Sequence, residues 1–147
     1  SEVNLSRIIL WRHGRTEWNV QHRWQGQSDI PLDIIGMAQA EAAAEKLARL
    51  QPSMIISSDL VRASKTAQYL SHVTGLEVVL DKRLRETNGG IWEGLTYSEI
   101  DDQHGESLRS WQQDITVPAG VSGETREAVA ARVARITRPS DETSQLL

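Results

Sequence analysis

The sequence predicts an α/β fold in which a mainly parallel sheet is covered by helices. Two observations carry that prediction. Short apolar runs of strand length, Arg7–Trp11, Met54–Ile56 and Leu76–Leu80, alternate along the chain with longer stretches of helix formers. The junctions carry capping or breaking residues, namely Asp33, Pro52, Ser57–Asp59 and Gly75, so that strand and helix change over at defined points.

Taken in order, Ile8-Ile9-Leu10-Trp11 is the continuous apolar run of a buried strand, and Arg7–Trp11 is read as the first one. Glu17 to Ile30 is polar and without period, carries Trp18 and Trp24, and reads as a surface loop over a site. Pro31-Leu32-Asp33 opens a helix with Asp33 as N-cap. The stretch from Ile35 to Leu50, rich in Ala, Glu, Gln and Leu, continues it. Met54-Ile55-Ile56 is a second buried strand. Ser57-Ser58-Asp59 offers caps for the next helix, which runs through Leu60, Ala63, Ala67 and Leu70 to a stop at Gly75. Leu76–Leu80 is the third strand. Thr96-Tyr97-Ser98-Glu99 has capping-box spacing. A last helix spans Thr125–Ile136 with Val129 and Val133 on one face. Residues 1–136 read as one domain, and 137–147, polar and containing Pro139, as a tail.

Bulk properties narrow the function. With 147 residues, 39% hydrophobic and 24% charged, the chain has the make-up of one globular domain. A formal net charge of -4 argues against a nucleic-acid partner. No apolar run reaches membrane-span length and no signal-peptide pattern opens the chain, so no membrane partner and a cytoplasmic setting are expected. With no cysteine, disulfides, zinc-thiolate sites and thiol catalysis drop out. There is no Phe but there are five Trp, so the core rests on aliphatic residues and a few indoles.

The residues that carry chemistry follow the predicted strands. Arg12-His13-Gly14 places a histidine beside a planar cation that matches phosphate oxygens, with a glycine that allows close backbone approach. Imidazole attacks phosphorus once a partner holds its other nitrogen. Arg62 lies one turn into the helix after the second strand, where an open parallel sheet forms its ligand crevice. The alternative is an exposed helix arginine. Glu86, in Arg83-Leu84-Arg85-Glu86 after the third strand, is either an ordinary surface carboxylate or, with a pKa raised by burial, a proton donor to a leaving oxygen. His22, His72 and His104 show no metal-ligand spacing, so neither metal nor cofactor is expected. His72 reads as a surface or packing residue. Trp18, Trp24, Trp92 and Trp111 read as loop-packing residues.

In order along the chain, Leu10-Trp11-Arg12-His13-Gly14-Arg15-Thr16-Glu17-Trp18-Asn19, Gln25-Gly26 with Asp29-Ile30-Pro31-Leu32, Gly36-Met37-Ala38-Gln39-Ala40, Ser57-Ser58-Asp59-Leu60-Val61-Arg62-Ala63 with Thr66-Ala67, Arg83-Leu84-Arg85-Glu86 with Gly90-Ile91-Trp92-Glu93-Gly94, and Gly123-Glu124-Thr125 with Arg132 resemble the blocks of the histidine phosphatase superfamily, phosphoglycerate mutase-like branch. The resemblance implies a three-layer sandwich, a mainly parallel sheet with helices on both faces. It makes His13 the nucleophile that becomes phosphohistidine and Glu86 the acid, then base. Arg12, Arg62 and Asn19 would hold the phosphoryl oxygens, and Gln25 and Gly26 would line the substrate side. No metal is required by that chemistry.

Two departures from the family pattern sharpen the expectation. Mutases follow the acid with Arg-His-Tyr-Gly, whereas here Thr87-Asn88-Gly89-Gly90 follows, with Gly89 in the tyrosine position. The adjacent arginine pair that mutases carry after this block is also missing. Both favour a phosphatase, and Ser57 to Gly94 is most similar to phosphatases acting on glucosyl-3-phosphoglycerate. The family's late histidine, in a Val-Ser-His-Gly-Gly type motif, has no counterpart before Leu147. A domain truncated at its C-terminus is therefore expected, with an open edge beside Arg7–Trp11 that a second copy could cover as a homodimer. The expected function is hydrolysis of a small phosphate monoester, of sugar or glycerate type. The alternatives are a mutase and a catalytically impaired phosphate-binding module.

Overall fold

The computed structural model describes residues 7–137, with the side chain of Thr137 left out, and it is a helix-rich α/β arrangement. Its order is α1 (Glu17–Val20), α2 (Ile34–Ala48), β1 (Ile55–Ser57), α3 (Val61–Thr74), β2 (Val78–Leu80), two short 3₁₀ turns (Lys82–Leu84 and Gly90–Trp92), α4 (Tyr97–Gln113) and α5 (Arg126–Thr137). β1 and β2 pair in parallel, with Ile55 opposite Val78 and Ser57 opposite Leu80. Parallel neighbours need a long crossover, and α3 supplies it. The predicted tail, 137–147, lies outside the described residues except for Thr137, which closes α5.

Local chemistry explains the helix ends. The Asp33 carboxylate accepts from Gly36 N–H at 2.7 Å and starts α2. Gly75, at φ +77°, ends α3 in the left-handed region. Thr96 and Glu99 close the reciprocal capping box of α4 at 3.1 and 2.9 Å. α4 then kinks at His104, next to Gly105.

Three sequence expectations need correction. Arg7–Trp11 is not a buried strand: it joins no ladder among the described residues, and Ile8, Ile9 and Leu10 are exposed, Leu10 at 92%. Its composition suits a central strand, but such a run needs strand neighbours, and among the described residues the sheet has two strands, β1 and β2. The Glu17–Ile30 segment is not all loop. Thr16 and Asn19 form a capping box that nucleates α1. Ser57-Ser58-Asp59 does not supply the N-cap of α3, which is Leu60. Ser58 accepts from Leu60 N–H at 3.1 Å, and the first helical N–H, that of Val61, goes to Asp29 at 2.7 Å. Asp59 is drawn away by a bidentate pair with Arg85, at 2.7 and 2.6 Å.

Two apolar centres hold the elements. Ala44 of α2, Ile55 of β1, and Ala67 and Leu70 of α3 form one, with Trp11, Leu47 and Val78 packed on it. Trp92, Ile100 and Ala119 form the other, fringed by Trp24, Leu108 and Trp111. Trp24, Trp92 and Trp111 meet edge to face at 5.4–6.0 Å, the arrangement aromatic quadrupoles favour, so these indoles pack the core in place of phenylalanine. Small residues let the layers close. An added Cβ on Gly36 would lie 2.0 Å from the Arg15 carbonyl oxygen, and one on Gly14 would lie 2.3 Å from the Gly36 oxygen. This backbone-on-backbone contact seats the Arg12–Arg15 segment against the start of α2.

Candidate active site

The His13 segment is anchored to α3 through Gly14, and the imidazole to the Gly14 carbonyl. Gly14 N–H donates to Thr66 Oγ1 at 3.1 Å, and Thr66 Oγ1 donates to the Arg62 carbonyl at 2.7 Å. Arg62 and Thr66 are four residues apart on α3 and therefore share one face, so the helix that carries the arginine also anchors the histidine segment. His13 Nδ1 lies 2.6 Å from the Gly14 carbonyl oxygen, which can only accept. The proton therefore belongs on Nδ1, and Nε2 is left to react. The imidazole is 7% exposed.

Glu86 faces both cations. Its Oε1 is 3.3 Å from His13 Nε2 and its Oε2 is 3.4 Å from Arg62 Nη2. Burial pushes its carboxyl up, but the hydrogen bond with His13 and the charges of Arg62, His13 and Arg12 outweigh this, and the pKa lies below the ordinary carboxylate value. The expectation that burial alone would raise it is corrected: in the resting site Glu86 is a carboxylate. Arg62 is 1% exposed and spends further donors on the Gly26 carbonyl at 2.5 Å and the Ser28 carbonyl at 2.7 Å. It is not a surface helix arginine. It is buried beneath Glu86 and Gly26 rather than lining the cleft, and Gly26 meets it through backbone in a left-handed conformation at φ +52°.

A cleft of 1040 Å³ opens over these groups, lined by Arg12, His13, Asn19, Gln25, Gly26 and Glu86, with a wall of Trp18, Trp24, Tyr97 and Trp111. Arg12 is exposed, and no hydrogen bond of its guanidinium is found among the described residues. Asn19 Oδ1 accepts from Thr16 N–H at 2.8 Å, and Gln25 Oε1 accepts from Thr16 Oγ1 at 2.7 Å. The residues predicted to share a crevice are thus brought together, on irregular segments and the first turns of α1 and α3 rather than on strand ends. His72 is exposed on α3, away from the cleft, whereas His22 lines it. Among the described residues no cluster of three or more His, Asp or Glu has the arrangement of a metal site. No described helix is long and apolar enough to cross a membrane.

Sequence reasoning gave no role to several residues that hold the site. Thr66 was detectable from its helical spacing to Arg62. Glu93, which accepts from Gln27 N–H at 3.0 Å, Ser28 Oγ at 2.6 Å and Gly89 N–H at 2.9 Å, stitches two loops together and left no periodic trace. Glu124 and Arg132 form a further pair at 2.9 Å behind Glu86.

Residues 8–145 match the Histidine phosphatase superfamily (branch 1). The chain is 49% identical over 127 residues to glucosyl-3-phosphoglycerate phosphatase of Mycobacterium tuberculosis, covering 86% of this chain and 56% of that protein. It is 37% identical over 124 residues to phosphoglycerate mutase-like protein 4 of Arabidopsis thaliana, covering 81% and 54%. The solved mycobacterial glucosyl-3-phosphoglycerate phosphatase in complex with VO3 superimposes with a TM-score of 0.78 at 45% identity, covering 90% of this chain and 69% of that one. Bacillus stearothermophilus YhfR superimposes with a TM-score of 0.78 at 32% identity, covering 86% and 62%. The chain spans just over half the length of these two curated relatives, 56% and 54%. A family match over most of its length, a fold shared with solved members and an ordered set of blocks agree: the chain belongs to the histidine phosphatase superfamily.

Proposed function

We propose that the chain carries the catalytic centre of a metal-independent phosphatase that hydrolyses a small phosphate monoester, of sugar or glycerate type, through a phosphohistidine on His13. One observation carries this reading. The two oxygens of Glu86 meet the His13 imidazole at 3.3 Å and the Arg62 guanidinium at 3.4 Å, so a single anion bridges a nucleophile and a buried fork. A phosphoryl group offers the same oxygens to the same donors, with Arg12 free to add a third contact.

His13 and Glu86 share one proton. When it sits on Glu86, Nε2 carries a lone pair and the carboxyl is an acid. A phosphoryl group entering between Arg12 and Arg62 takes over their charge, which weakens their hold on the carboxylate and favours that state. Nε2 attacks phosphorus, the bond from phosphorus to the ester oxygen breaks, and Glu86 delivers its proton to the leaving alkoxide. Glu86, now a carboxylate, removes a proton from water, whose oxygen bonds to phosphorus as the bond from phosphorus to Nε2 breaks, which releases phosphate and returns the lone pair to His13. Catalysis is positioning and charge neutralisation, which is what two arginines and Asn19 would supply. Gln25 and Gly26 form the substrate side.

Phosphatase is favoured over mutase at Gly89. A Cβ there would lie 2.2 Å from Trp24 Nε1, so the tryptophan fills the space a larger side chain would need. The relatives named for glucosyl-3-phosphoglycerate support a sugar- or glycerate-bearing substrate. A cytoplasmic setting and a homodimer belong to the same proposal, the latter because Ile8, Leu10 and Leu80 leave apolar surface, 53, 92 and 56% exposed, that a second copy would cover. The test is turnover of phosphate monoesters with chelator present. Hydrolysis that chelator leaves intact and His13→Ala abolishes is expected. Chelator-sensitive activity, or brisk interconversion of 3- and 2-phosphoglycerate, would contradict the proposal.

A further inference from the structure

Glu86 is half exposed and lies in the irregular stretch after the Lys82–Leu84 turn, where neither helix nor ladder fixes it. Yet its carboxylate meets His13 and Arg62 together. Arg132 of α5 reaches its backbone carbonyl at close range, and Gln27 Nε2 donates to the same carbonyl at 3.3 Å. Arg132 Nη2 donates to the Glu86 carbonyl at 2.9 Å and Nη1 to the Arg83 carbonyl at 2.6 Å. Nε and Nη2 also pair with Glu124 at 2.9 and 3.1 Å. Glu124 Oε1 accepts from Asn88 N–H at 2.9 Å and from Gln27 Nε2 at 3.2 Å. The clamp therefore holds the chain on both sides of Glu86 and ties it to the loop that follows Gly26. Its Arg132 side chain is 17% exposed, and neither Arg132 nor Glu124 lines the cleft.

We infer that Arg132 is a positioning residue for the acid: with Glu124 it fixes the Glu86 backbone so that the carboxylate stays between His13 and Arg62. The inference rests on the proposed phosphatase reading for its catalytic consequence, while the geometry stands without it. A planar fork is needed because its acceptors lie in several directions at once, and an ammonium cannot reach them together. A displacement of about 1 Å at a reacting group costs on the order of 10²-fold in rate.

Two measurements test it on Arg132→Lys and Arg132→Gln. The first compares kcat/KM for an alkyl phosphate and for p-nitrophenyl phosphate. An alkoxide needs the proton of Glu86 and nitrophenolate does not, so a misplaced acid lowers the alkyl value on the order of 10²-fold and the aryl value far less. The second follows the Glu86 carboxyl by carbon NMR across pH. The groups that face it are His13, Arg62 and Arg12, and they hold its pKa low. Its titration should therefore move upward in both variants. Because lysine keeps the charge, a rise in Arg132→Lys reports lost position rather than lost charge. An unmoved Glu86 titration, or an equal fall on both esters, would overturn the inference and leave Arg132 a scaffold residue. If the parent chain turns over neither ester, the phosphatase reading fails, and the titration alone decides on Arg132.

Discussion

At the residue scale, the site asks opposite things of His13 and Glu86. In the proposed mechanism the Glu86 carboxyl must be protonated when Nε2 attacks, yet the resting geometry favours the carboxylate, since His13, Arg62 and Arg12 outweigh the effect of burial. Substrate charge is the proposed trigger that inverts this. His13→Ala should abolish turnover, and Glu86→Gln should slow it by ~10²–10⁴-fold, the range for a general acid, with the larger loss on poor leaving groups. Steady-state assays on alkyl phosphates check both, and retained activity in His13→Ala would remove the nucleophile. The residues of the candidate site were readable because Arg12-His13-Gly14, Arg62 and Glu86 stand in ordered blocks. The direction of the Glu86 shift was not, because it depends on which of three cations lie close in space.

At the element scale, the close seating of the Arg12–Arg15 segment on α2 makes a testable conflict of principles. Ala is a better helix former than Gly by about 1 kcal/mol. At position 36, however, the added methyl would lie 2.0 Å from the Arg15 carbonyl oxygen. Overpacking of this kind costs about 1–3 kcal/mol and should win, so Gly36→Ala should lower the urea midpoint and also displace His13. A stabilised variant would show that the segment gives way freely. Helix caps and stops were readable because they are local: Asp33, Gly75 and Thr96 do what their side chains dictate. Arg7–Trp11 misled because burial of an apolar run is decided by its neighbours, and Asp59 was misplaced because a distant Arg85 outcompetes a local cap.

At the scale of the whole molecule, carboxylates tie loops to helices. Arg85 hydrogen bonds hold Asp59 below its ordinary pKa, and Arg132 does the same for Glu124. A carboxyl whose folded pKa is depressed contributes stability that is complete above its unfolded value, about 4, and is lost as pH falls through the folded value. The melting temperature should therefore drop on acidification below about pH 4, and Asp59→Asn with Glu124→Gln should flatten that drop. A pH profile identical to the parent would mean these pairs contribute nothing net. The α/β class and the parallel pairing followed from element order alone. Which of the apolar runs pair among the described residues did not, because a strand is made by its partner.

The central claim, that His13 is a phosphoryl acceptor framed by Arg12, Arg62 and Glu86, is tested most directly by trapping the intermediate. Glu86→Gln should slow the attack of water, and with p-nitrophenyl phosphate, whose leaving group needs no proton, the phosphorylated form accumulates. After reaction with a phosphate monoester and an alkaline quench, peptide mass spectrometry should find a phosphoryl group on His13. Turnover with no phosphoryl group on His13, or with the group on another residue, would contradict the account.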